Sequence, residues 1–182
     1  YRATNFSFVY SSLSTPATIF SQNLYSKKRK KVWQQKILTH KQKNYETKRV
    51  LIKARDGVKV PVSLIYKKGI NLKDAPLLQY GYGSYGAVIE PSFKLSFMPL
   101  IEQGFIFAIA HIRGGQDLGR DWYDQGRMMN KMNTFFDFID CSKELLKKEI
   151  GNKSKIFAMG GSAGGLLTVS YTHLTLPTNA CV

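Results

Sequence analysis

The sequence predicts an α/β fold beginning near residue 75, with shorter β elements ahead of it. Three observations carry this. Apolar runs of strand length alternate with helical periodicity after residue 75, as expected of a sheet covered on both faces. The run Phe105–Ile112 is continuously apolar, so it has no solvent face. A third run, Lys155–Met159, enters a turn of tiny residues around Ser162.

Residues 1–40 read as short strands: Phe6–Tyr10 alternates, Ser11–Pro16 punctuates, Ala17–Phe20 begins a second strand, and Lys31–Trp33 returns after a tip at Lys27–Lys31. This piece has too little apolar face to stand alone. His40–Tyr45 is polar and reads as a linker. Arg49–Ile52 and Val58–Tyr66 then form a hairpin around the turn dipeptide Asp56-Gly57. Leu77–Tyr80 is a short strand entering the glycine-rich turn Gly81–Gly86. Phe93–Gln103 is predicted helical, capped by Gly104. Thr134–Ile150 is an amphipathic helix with Phe135, Phe138, Ile139, Leu145 and Leu146 as its apolar stripe, stopping at Gly151.

Composition narrows the function classes. Of the 182 residues 43% are hydrophobic and 13% aromatic, which suits a packed core. No apolar run reaches the length of a membrane span. Cys141 and Cys181 give neither a disulfide framework nor metal-ligand spacing, so no metal and no cofactor is expected. The formal charge is +15, and Lys27–Arg55 holds twelve Lys or Arg against Glu46 as the single acid. Such a patch suits nucleic acid or an acidic membrane, but no stacking platform or recognition helix accompanies it, so nucleic-acid binding is not expected.

The chemistry concentrates at Gly160-Gly161-Ser162-Ala163-Gly164. A strand, then Gly-x-Ser-x-Gly, then a small-residue helix start is what a nucleophile elbow requires: the serine takes a strained backbone position and its neighbours must be small. Gly160 and Gly164 let strand and helix approach; Gly161, Ala163 and Gly165 add no bulk. The helix N-terminus behind Ser162 offers partial positive charge and free N–H groups, so the Ala163 N–H can receive an oxyanion. The alternative is a tight glycine turn with a solvated serine.

Five motifs occur in order: Tyr80–Gly86, Ala108–Gly115, Leu118–Tyr123, Asn133–Phe138 and Gly161–Leu167. Together they resemble the prolyl oligopeptidase family of serine peptidases, most closely its oligopeptidase B branch. The resemblance implies the N-terminal part of an α/β-hydrolase domain over residues 41–168, preceded over 1–40 by the last strands of a β-propeller and a linker. It implies a cytoplasmic enzyme that hydrolyses short peptides after Arg or Lys. It makes Tyr82 a side-chain oxyanion donor, consistent with a phenol that stays protonated at neutral pH. Glu90 corresponds to an acidic residue of a substrate subsite, whereas Ser92 stands where a second acid is often found. Arg113, Asp117, Arg120 and Asp121 read equally as organisers of the active-site loop or as a structural ion-pair loop.

In α/β hydrolases the triad runs Ser, Asp, His along the chain. His40 and His111 precede Ser162, and His173 follows too closely, so none is expected to be the base. The Asp and His are expected farther along, which would leave a fragment of this length inactive. After Leu167 the small-residue pattern breaks. Val169–Thr178 looks like the in-frame translation of a sequencing-library adaptor, so residues 169–182 are expected to be a non-native tail. Two alternatives remain open: another α/β hydrolase, such as an esterase or acylaminoacyl-type peptidase, and a basic nucleic-acid-binding module without catalysis. Oligomeric state is not legible.

Overall fold

A computed structural model describes residues 3–175. Two sheets organise the chain. The first is an antiparallel meander of β1 (Asn5–Ser12), β2 (Thr15–Asn23) and β3 (Arg29–Gln34), in that order. Its second turn spans Leu24–Lys28, a few residues before the predicted tip, because Asn23 closes it: the Asn23 side-chain oxygen accepts from the N–H groups of Tyr25 and Ser26.

The second sheet holds β4 (Tyr45–Lys53), β5 (Lys59–Lys67), β6 (Leu77–Tyr80), β7 (Ile106–Ala110) and β8 (Ile156–Met159) in the spatial order β4-β5-β7-β6-β8. β4, β5 and β7 pair antiparallel, whereas β7, β6 and β8 run parallel. The predicted hairpin is present, with nine residue pairs from Tyr45–Lys67 to Lys53–Lys59. Among the described residues four α-helices follow one another: α1 (Met98–Glu102), α2 (Arg120–Asp124), α3 (Lys131–Lys147) and α4 (Ala163–Thr175).

The alternation of β7 shows why its run is apolar throughout. Ile106, Ala108 and Ala110 face a core with Val62, Leu64, Leu77, Phe138, Leu145 and Leu167, so α3 and α4 cover this side. Phe107 and Ile109 face the other way, onto Ile65, Leu78, Met98 and Ile101. Each fully buried large side chain contributes about 1.5–3 kcal/mol. Buried Gln79 ties β6 to α3: its Nε2 donates to the Phe138 carbonyl at 2.8 Å, and its Oε1 accepts from Ser142 Oγ at 2.9 Å.

Several predicted elements shift. Lys94 stays extended, Leu95–Phe97 forms a 3-10 turn and the α-helix shortens to α1, while the Phe93 N–H donates to Ser11 Oγ at 3.0 Å and holds the segment ahead of it. α3 begins at Lys131, three residues early; Lys131, Met132 and Asn133 stay outside the buried stripe, which starts at Thr134. β8 is not fully buried: it lies at the sheet edge among the described residues, with Phe157 and Met159 exposed. α4 continues to Thr175 despite the β-branched residues. Thr168 and Thr172 hydroxyls donate to the carbonyls of Gly165 and Thr168, and Tyr171 packs edge-on against Phe138 at 5.4 Å. The rest of the expected tail, 176–182 with Pro177 and Cys181, lies outside the described residues.

Candidate active site

The parallel register of β6 and β8 aligns their C-terminal ends, with Tyr80 opposite Met159 and the Gly81 N–H donating to the Met159 carbonyl. The two glycine turns that follow are therefore neighbours by construction. One carries Tyr82 and the other Ser162.

Ser162 holds φ +54°, a left-handed conformation that a non-glycine residue adopts at a cost of about 1–3 kcal/mol, and its side chain is exposed. The turn is closed by Gly164 N–H to Gly161 O and Gly165 N–H to Ser162 O, both 2.8 Å. A Cβ on Gly160 would stand 2.3 Å from the Gly164 carbonyl oxygen, and one on Gly164 would stand 3.0 Å from the Gly81 oxygen. Strand, helix and the Tyr82 turn thus meet at backbone distance. Gly161 and Gly165 differ from expectation: each has open space where a Cβ would go. Small size matters at two of these four glycines.

Ala163 begins α4, so its N–H has no intrahelical acceptor. Tyr82 is half-buried, and its ring edge lies 3.5 Å from where a Gly164 Cβ would be. Its phenol-bearing ring therefore packs on the first turn of the elbow helix. Beside Ala163 opens a cavity of about 300 Å³, lined by Tyr85, Tyr123, Met128, Lys131 and Leu166 among others. Tyr85 and Met128 are also left-handed, at φ +57° and +47°, so backbone strain gathers around this groove.

Glu90 is exposed on the loop after the Tyr82 turn and does not line that cavity. The adjacent Ile89 N–H donates to Asp117 at 3.2 Å, which fixes the loop from below. Among the described residues the Ser162 hydroxyl makes no hydrogen bond. His173 is exposed far along α4, about 15 Å from the helix start at about 1.5 Å per residue.

The charged stretch after β7 does not pair within itself. Arg113 reaches Asp137 on α3 through Nη2 at 2.6 Å and Nε at 2.9 Å, while its backbone N–H donates to the same carboxylate at 3.0 Å. Its Nη1 pairs with Asp56 of the hairpin turn at 2.6 Å. Burial works against both buried charges. It pushes the Asp137 carboxyl up, whereas Asp137 and Asp56 together hold the Arg113 guanidinium above its ordinary value. With three donors aimed at one carboxylate, the ionised pair is the form this geometry fits. Arg120 pairs with Asp124 at 3.3 Å.

A second Ser–His–Asp chain occurs where no motif marks it. Ser63 Oγ lies 2.9 Å from His111 Nε2, and His111 Nδ1 lies 2.9 Å from Asp117 Oδ1. Ser63 and His111 are buried, the Asp117 side chain is 6% exposed, and Ser63 sits mid-strand in β5 without a helix N-terminus behind it. Connectivity alone does not make a nucleophile. This chain ties the sheet to the loop under Ile89. Sequence reasoning also missed Lys131, whose ammonium donates to the Gly83 carbonyl and to Ser84 Oγ; a lone lysine at a helix start carries no motif.

Residues 91–175 match the model of the prolyl oligopeptidase family. Over these residues the chain resembles the prolyl oligopeptidase family. Among curated relatives it is 46% identical over 169 residues to "Dipeptidyl aminopeptidase BI" of Pseudoxanthomonas mexicana, covering 92% of this chain and 23% of the relative. It is 40% identical to "Protease 2" of Moraxella lacunata, covering 91% and 24%. Among solved structures, oligopeptidase B from Leishmania major superposes with a TM-score of 0.86 at 37% identity, covering 96% of this chain and 25% of that one. The Trypanosoma brucei oligopeptidase B with covalently bound antipain gives 0.84 at 42%, covering 94% and 24%. The chain thus spans about a quarter of the length of these relatives. Its fold is that of the family, the first part of an α/β hydrolase preceded by closing propeller strands.

Proposed function

We propose that this chain carries the nucleophile half of a serine oligopeptidase that cleaves short peptides after Arg or Lys. The observation that carries the reading is Ser162 at φ +54°, exposed on a strand–helix turn whose helix packs on the Tyr82 ring. A base removes the Ser162 hydroxyl proton as Oγ bonds to the peptide carbonyl carbon. The carbonyl π pair moves onto oxygen, and Tyr82 O–H and Ala163 N–H donate to that oxyanion. Each such donor stabilises the transition state by roughly 3–4 kcal/mol. Collapse breaks the C–N bond, the protonated base returns its proton to the leaving amine, and water then hydrolyses the acyl-serine. On this reading Asp and His lie farther along the polypeptide, so the 182 residues alone are inactive, and Glu90 helps select a basic substrate side chain.

A fluorophosphonate probe tests the nucleophile in the complete reading frame. Labelling is expected to disappear in Ser162→Ala; unchanged labelling would exclude this serine. A second reading, release of dipeptides from a free amino end, draws on the 46% identity to "Dipeptidyl aminopeptidase BI". Substrates with blocked and free amino termini separate the two, since only endopeptidase action tolerates the block.

A further inference from the structure

Lys131 opens α3 directly beneath the turn that carries Tyr82. Its Nζ donates to the Gly83 carbonyl at 2.6 Å and to Ser84 Oγ at 2.8 Å. Nearby cations have carboxylate partners: Arg113 has Asp137 and Asp56, while Arg120 and Arg127 share Asp124. Lys131 has no carboxylate within ion-pair distance among the described residues. Burial lowers its pKa. A half-buried ammonium without a carboxylate is costly to hold, even with the Phe135 ring 5.8 Å from it, and what it holds here is the Gly83 carbonyl and the Ser84 side chain.

The same helix wedges the turn from the other side. Gly83 is left-handed at φ +64°, and a Cβ there would come within 2.4 Å of Thr134 Cγ2. The Thr134 hydroxyl is itself bonded to the carbonyls of Arg113 and Gly126, at 2.8 and 3.0 Å. The first turn of α3 therefore grips residues 83 and 84 through a charge-assisted clamp and a methyl contact. Tyr82 is the residue immediately before them. Because its ring packs against the start of α4, a small rotation of this backbone would swing its hydroxyl relative to Ser162.

We propose that Lys131 is a positioning residue for the oxyanion hole, clamping the Gly83 carbonyl and the Ser84 hydroxyl so that the Tyr82 phenol meets the developing oxyanion. This rests on the reading of Tyr82 as an oxyanion donor. A residue acting through Tyr82 affects the transition state and leaves ground-state binding alone, so its removal shows in kcat and not in KM.

The test uses the complete protein and an arginyl p-nitroanilide substrate, comparing Lys131→Met, Lys131→Arg, Tyr82→Phe and the Tyr82→Phe/Lys131→Met double variant. Lys131→Met is expected to lower kcat by about 10- to 100-fold with KM changed less than about threefold. Lys131→Arg, which keeps donors for both oxygens, is expected to stay within about fivefold of the parent. The double variant is expected to be no slower than Tyr82→Phe alone, because one residue works through the other. An unaltered kcat in Lys131→Met, or losses that multiply in the double variant, overturns the proposal while leaving Tyr82 in place. An unaltered kcat in Tyr82→Phe instead removes the oxyanion reading itself. Where circular dichroism shows that Lys131→Met does not fold, Ser84→Ala carries the test. It deletes one of the two clamped acceptors and is expected to lower kcat about three- to tenfold at constant KM; an unaltered kcat overturns the proposal.

Discussion

Ser162 owes its exposure to a turn that only a few residues make possible, and the glycines around it are not equivalent. At Gly160 an added methyl meets the backbone of Gly164 at 2.3 Å, and backbone cannot step aside as a flexible side chain would. Gly160→Ala must open the turn, an overpacking cost of about 1–3 kcal/mol that falls where the nucleophile is aimed. Gly165 faces open space inside α4, where alanine is the better helix former by about 1 kcal/mol. The expected outcome is fluorophosphonate labelling slowed at least about tenfold by Gly160→Ala and unslowed by Gly165→Ala. Equal rates for the two would mean the close approach plays no part. The turn at Ser162 was legible in the sequence because a strained turn forces recognisable small residues around it, whereas Tyr82 was singled out by resemblance alone. Lys131 and Asp137 were not legible: each acts on a partner distant in the chain, 48 residues away for Lys131 and Gly83, 24 for Asp137 and Arg113. Spacing along the chain encodes no such contact.

At the scale of elements, α3 shows what periodicity reads and what it misses. Its apolar stripe was visible, yet Asp137 and Asp140 share the buried face, because each neutralises an arginine delivered by another element. Asp140 receives the Arg55 backbone N–H at 2.8 Å and its guanidinium at 2.8 and 3.0 Å, fastening the β4–β5 turn to α3. Burial raises the Asp140 carboxyl, but the bonds from Arg55 outweigh it and leave the pKa below the ordinary carboxylate value. A depressed folded pKa adds stability that is fully present above the unfolded value near ~3.9 and is lost as pH falls through the folded one. Since the Arg55 side chain is 45% exposed, the pair is worth on the order of 1 kcal/mol after solvent screening. Asp140→Asn is therefore expected to reduce hydrogen-exchange protection of the Arg55 amide about fivefold at pH 7. The difference from the parent should shrink as acid protonates the parent carboxylate. A difference that grows in acid would reverse the assignment. The same reasoning explains β8: four apolar-leaning residues do not disclose whether one face or two will be covered.

For the molecule as a whole, the question is how the meander is held against the larger sheet. Polar composition predicts a linker over 40–45, yet its two ends are packed. Tyr45 is buried at the start of β4, and His40 stacks on its ring at 4.8 Å and meets Phe93 edge-on at 4.8 Å. His40 Nε2 also donates to the Ser14 carbonyl at 2.7 Å, in the tight turn between β1 and β2, while Leu13 of that turn enters the core formed by Ile65, Phe107 and Met98. The turn is thus a plug and His40 its latch. Aromatic contacts of this kind contribute about 0.5–1.5 kcal/mol each, and the hydrogen bond about 1 kcal/mol. Lys36, Lys41 and Lys43 flank the latch in the connecting segment and offer trypsin its sites, provided the segment can open. Cleavage that follows a rapid opening equilibrium reports the free energy of that opening. His40→Ala should therefore speed tryptic cutting between Lys36 and Lys43 about tenfold or more, with cutting elsewhere unchanged. If the rates in that segment match those of the parent, the meander is held by Leu13 and the Ser11–Phe93 bond without His40.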